Sequence, residues 1–121
     1  MMSRILIAVA LLGLANTAGA LRVLEQVERA AELTLSQLTL PSGTDGTLSF
    51  KTCAECRTSS HRVTAVTKYL LDGREVPFED FLVAVADIRK SRTANERSTA
   101  AVYLDIATER VTRVSVRPAQ R

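Results

Sequence analysis

The longest stretch of this sequence with apolar residues at helical spacing limits the fold more than any other feature. Phe78, Phe81, Leu82, Val85 and Ile88 form a stripe that predicts an amphipathic helix over residues 78–90. Pro77 opens it. Glu79 and Asp80 stand in its first turn, Arg89 and Lys90 in its last, which is the charge order the helix dipole favours. Leu24, Val27 and Ala31 also fall at helical spacing, but from Leu33 to the helix, and again after it, apolar residues recur at every second position, as half-buried strands require. Leu33-Thr34-Leu35 and Leu38-Thr39-Leu40 both alternate, with a phase change near Ser36-Gln37 that reads as a bulge. Turn-forming residues from Pro41 to Gly46 separate them from a strand carrying Leu48 and Phe50.

The next strand is predicted from His61 through Val63, Val66 and Tyr69 to Leu71. Asp72-Gly73 after it is a hairpin signal, because both central residues of that turn need positive φ. Residues 91–100 are polar and read as a loop. Two final strands carry Val102, Leu104 and Ile106, then Thr112, Val114 and Val116. Their apolar rows share a face if Ile106 opposes Thr112 and Leu104 opposes Val114, which also sets Asp105 against Arg113. The expectation is an α+β fold, roughly β-β-β-β-α-β-β, with one helix packed on a small antiparallel sheet.

The amino terminus carries a different message. Arg4 precedes the uncharged apolar run Ile5 to Leu14, and the small-residue stretch after it ends in Ala18-Gly19-Ala20. A cationic start, a short apolar run and an Ala-x-Ala end make up a secretory signal, with cleavage expected after Ala20. The run is about half the ~20 residues that a membrane anchor needs, and no second apolar segment comes after it. The expected organisation is a signal peptide over residues 1–20, a short helix or mobile leader over 21–32, and one α+β domain over 33–121. The expected address is the periplasm or the exterior.

Charge and glycine content narrow the function classes. Without Arg4 the chain has 15 basic against 13 acidic residues, so the net charge of +3 falls to +2. The cations are spread from Arg22 to Arg121, without the dense block and stacking aromatics of a nucleic-acid binder. Beyond the signal only Gly43, Gly46 and Gly73 remain, each in a turn, so no glycine-rich phosphate loop can be assembled. No cofactor, no nucleic acid and no membrane span after signal cleavage are expected.

Cys53-Ala54-Glu55-Cys56 is the one recognisable motif. In an oxidising compartment two cysteines this close form a disulfide, here a structural clip after the Leu48–Lys51 strand. The spacing also resembles that of thioredoxin-like proteins, which implies thiol–disulfide exchange. The chain departs from them at Thr52, where an aromatic is common, and in the polar Arg57-Thr58-Ser59-Ser60-His61 after the second cysteine. Arg57 also excludes covalent haem attachment, which needs histidine there. Cys53, Cys56 and His61 supply three of the four ligands of a closed zinc site. His61, the only histidine, otherwise reads as a solvated strand-start residue, and no catalytic residue is assigned. The functional expectation is a structural or protein-binding module clipped by Cys53–Cys56, with redox exchange or metal binding through Cys53, Cys56 and His61 as the alternative. An envelope protein is a candidate partner, docking on a sheet edge such as Arg110–Arg117.

Overall fold

A computed structural model describes residues 27–120. The expected signal peptide, its cleavage site and the start of the leader lie outside them. Strand β1 (Glu28–Thr34) leads through a 3-10 turn (Leu35–Gln37) to β2 (Leu38–Thr39), β3 (Gly46–Phe50), β4 (Ser59–Val63), β5 (Lys68–Leu71) and β6 (Arg74–Val76). Helices α1 (Phe78–Arg89) and α2 (Arg92–Arg97) then precede β7 (Thr99–Asp105) and β8 (Val111–Arg117). The strands form a five-stranded sheet in the order β1-β7-β8-β5-β6 and a three-stranded sheet β2-β3-β4. The α+β class is as the sequence indicates, but the single antiparallel sheet is not. There are two sheets, and the larger is mixed because β5 runs parallel to β8.

The helical expectation for residues 21–32 fails where it can be compared. Glu28–Thr34 is extended, although rich in helix formers, because all seven residues pair with β7, from Glu28 opposite Asp105 to Thr34 opposite Thr99. A complete ladder that also buries Leu33 outweighs intrinsic preference. The bulge expected at Ser36-Gln37 is the 3-10 turn, which carries the chain from the larger sheet to the smaller. The Gln37 side-chain oxygen closes it by accepting the Thr34 N–H at 2.9 Å. The long strand expected from His61 to Leu71 is two strands in different sheets. A turn between them is closed by the Thr67 N–H donating to the Thr64 carbonyl at 3.0 Å.

The Asp72-Gly73 hairpin forms as its sequence requires, with φ of 53° at Asp72 and 87° at Gly73. Helix α1 also forms, with Pro77 as its extended N-cap and not its first residue. Its Phe81 and Val85 are buried, and Tyr69 of β5 packs against Phe78 and Phe81 at centroid distances of 4.9 and 5.0 Å. The segment expected to be loop contains α2, started by the Ser91 hydroxyl accepting the Ala94 N–H at 3.2 Å.

The register of β7 with β8 differs from expectation by two residues. Val102 opposes Val114 and Tyr103 opposes Arg113, and an irregularity then brings Leu104 opposite Val111. An even shift keeps both apolar rows on the same face, so the core survives. Ile106 leaves the strand. Asp105 does not meet Arg113, because its carboxylate accepts the N–H groups of Ala107 and Thr108, each at 2.9 Å. Arg113 instead stacks over the Tyr103 ring at 3.9 Å and reaches Glu28 at 3.4 Å. Strand β8 lies between β7 and β5, so Arg110–Arg117 is not a sheet edge.

Both sheets and α1 close on one core. Leu33 and Leu35, Leu38, Leu48 and Phe50, Phe81 and Val85, Val102, Leu104, Val114 and Val116 belong to a single buried cluster. Among the described residues no helix is long and apolar enough to cross a membrane.

Candidate functional site

The Cys-x-x-Cys motif sits on the loop between β3 and β4. Phe50 pairs with Ser59, so the two strands splay into a loop of eight residues, 51–58. A tight turn inside it brings the Cys56 N–H to the Cys53 carbonyl at 3.2 Å. That turn sets the two Cα atoms 5.0 Å apart and the sulfurs at disulfide distance. The base of the loop is pinned to the turn after β1, since the Lys51 N–H donates to the Gln37 carbonyl at 3.2 Å. Cys53, Ala54 and Glu55 are exposed and Cys56 is half-buried. Beside them lies a hollow of about 430 Å³ bordered by Gln37, Lys51, Cys53 and Thr58.

The conformation of the segment after Cys56 decides how a thiol there would behave. A reactive first cysteine normally draws its thiolate stability from the amino terminus of a helix. Here Arg57 and Thr58 are irregular and Ser59 starts β4, so neither sulfur lies at a helix start. The nearby cations are Lys51 and Arg57, both exposed to water, which screens them.

His61 has a different role from the one its sequence position suggests. It stacks on Phe50 with ring centroids 5.6 Å apart, and its Nδ1–H donates to the Glu109 carbonyl at 3.0 Å. That bond ties β4 to the β7–β8 loop, and so one sheet to the other. The histidine is half-buried structural linkage and not a solvated strand start. Among the described residues no group of three or more His, Cys, Asp or Glu side chains could hold a metal ion, so Cys53, Cys56 and His61 are not gathered into a ligand set.

Perturbed groups lie away from the cysteines. Burial pushes the Tyr69 hydroxyl up to about 12. Burial also lowers the Arg89 guanidinium, which spans from α1 to the Leu38 carbonyl of β2 at 2.6 Å. The backbone N–H of Thr108, ahead of smaller contributions, holds the Asp105 carboxyl below its ordinary value.

One concave feature was not legible in the sequence. A hollow of about 560 Å³ lies where the β4–β5 turn meets the β7–β8 loop, bordered by Lys68, Arg110 and Arg113 together with threonines. Its residues come from segments some forty positions apart and carry no motif. Set against protein-family models, curated proteins and solved structures, the chain has no match.

Proposed function

We propose that this chain is exported and serves as a structural or protein-binding module, in which the Cys53–Cys56 bond is a clip on the β3–β4 loop. The observation that carries the structural reading of the bond is its setting: β4 comes after the second cysteine, so no helix amino terminus stabilises a thiolate. The export reading rests on the secretory pattern of residues 1–20, and a disulfide is at home in the oxidising space to which such a signal leads. A partner in the envelope is the corresponding expectation. The exposure of Cys53 favours one second reading, thiol–disulfide exchange with an external partner.

Mass spectrometry of the intact protein, taken from its native compartment without reductant, tests the first part. The expected mass is that of residues 21–121 less two hydrogens. A mass that retains residues 1–20, or two free thiols, would overturn the corresponding claim. Reduction separates the two readings of the motif. A ring of about four residues contributes only ~2 kcal/mol in the chain-entropy model. Cys53→Ser with Cys56→Ser should therefore lower the melting temperature modestly and leave the fold intact. Rapid exchange of the oxidised protein with a dithiol peptide, together with a strongly depressed Cys53 thiol in the reduced form, would establish the redox reading instead.

A further inference from the structure

We infer that the hollow between the β4–β5 turn and the β7–β8 loop binds the oxyanion of a small ligand, a phosphate or a carboxylate. The inference rests on which polar groups around it are already engaged and which are not. Both carboxylates at its border are engaged. Asp105 accepts the Ala107 and Thr108 N–H groups, which aims it into its own loop. Glu28 takes the Thr112 hydroxyl and the Arg113 guanidinium.

The donors are in the opposite state. The Thr64 hydroxyl oxygen accepts the Val66 N–H, and that of Thr108 accepts the Arg110 N–H, each at 3.3 Å. Each hydroxyl therefore keeps its own hydrogen to donate. Lys68 and Arg110 are exposed at the border of the hollow and form no ion pair among the described residues. Two unengaged cations and two hydroxyl donors around one concavity match the lone pairs of an oxyanion.

The sheet supplies an independent reason. Lys68 of β5 stands directly opposite Arg113 of β8 on the outer face. Like charges opposed across a strand pair repel, and Glu28 answers only one of the two. An anion seated beside Lys68 relieves the remainder. The hollow is also within the size range of small-molecule sites, roughly 300–1,000 Å³.

Amide chemical shifts of the full, oxidised chain provide the test, with sodium phosphate and sodium succinate as separate probes at constant ionic strength. The expected result is saturable movement confined to residues 64–68 and 108–113 for at least one probe. Saturation by phosphate alone or by succinate alone identifies the preferred oxyanion. K68Q/R110Q should weaken that probe by roughly tenfold or more, because each charge-assisted bond is worth about a decade in affinity. Among the described residues neither side chain forms a hydrogen bond, and K68Q removes the repulsion with Arg113, so this variant should melt no lower than the parent. R57Q, which removes a cation from the disulfide loop, should bind as the parent does. No saturation by either probe, movement spread over the whole charged surface, or equal weakening by R57Q would overturn the inference.

Discussion

Thr67 and Tyr69 stand two residues apart, both buried, with relative exposures of 7% and 3%, yet their hydroxyls act on stability with opposite signs. The Thr67 hydroxyl accepts the Thr64 N–H and donates to the Val111 carbonyl, both at 3.0 Å. It closes the turn that sends β4 and β5 to different sheets. Thr67→Val keeps the shape and adds apolar surface, but strands one part-buried donor and one buried acceptor. It should cost about 1–3 kcal/mol in urea denaturation. Among the described residues the Tyr69 hydroxyl has no partner. Tyr69→Phe removes a buried polar atom that nothing satisfies and should raise stability by about 1 kcal/mol.

The same tyrosine sets a limit at alkaline pH. It titrates at about 12 in the fold against 10.0 ordinarily, so the folded chain keeps a proton that the unfolded chain has lost. Stability should fall as pH rises through that interval, and the fall should be smaller in Tyr69→Phe. Melting curves of the two proteins at neutral and strongly alkaline pH would show it. An equal decline in both would put the alkaline limit elsewhere.

At the scale of elements, some assignments are legible in the sequence and others are not, for physical reasons. Helix α1 and the Asp72-Gly73 hairpin are local. A five-residue apolar stripe and a turn needing positive φ carry their structure in adjacent residues. Strand β1 is not local, because its conformation comes from seven partners about seventy residues away in β7. Helix α2 is too short to show an apolar stripe and rests on the Ser91 cap. The β7–β8 faces are legible from alternation, which fixes parity, but the register is set by how Asp105 and Glu109 turn the loop. Glu109 takes a φ of 59°, with its N–H on the Asp105 carbonyl at 2.8 Å. The site shows the same division. The cysteine pair is visible because three positions separate its members, whereas the hollow at Lys68 and Arg110 exists only after folding.

The β7–β8 loop therefore gives a prediction of its own. The Asp105 carboxyl is depressed, chiefly by the Thr108 N–H. A depressed carboxyl stabilises the fold above its unfolded pKa, near 3.9, and that contribution is lost as pH falls through the folded value. Asp105→Asn should flatten the acid limb of the stability–pH curve and loosen the loop. Amide exchange at Ala107 and Thr108 should quicken in the variant, and unchanged exchange there would count against this account of the turn.

For the whole molecule, the main question is whether the two sheets can come apart. Three cross-links argue that they cannot. The Leu35 N–H, at the start of the 3-10 turn, donates to the Ser98 carbonyl beside β7 at 2.9 Å. Arg89 spans from α1 to the Leu38 carbonyl of β2, and His61 of β4 donates to the Glu109 carbonyl beyond β7. Leu35 itself is fully buried in the cluster that also contains Leu48 of the small sheet and Val102 of the large one. Leu35→Ala should lower stability by about 2–5 kcal/mol, the usual cost of a cavity in a close-packed core. The loss should fall on both sheets together. Tyr69 and Tyr103 report on the larger sheet by fluorescence, and the amides of Leu48 and Phe50 report on the smaller by hydrogen exchange. In denaturant both probes should shift by the same free energy and keep a common midpoint. Earlier exchange in β3, with the tyrosine signal unmoved, would mean that the three-stranded sheet unfolds by itself. The disulfide loop it carries would then be a separable unit and not a clip on a shared core.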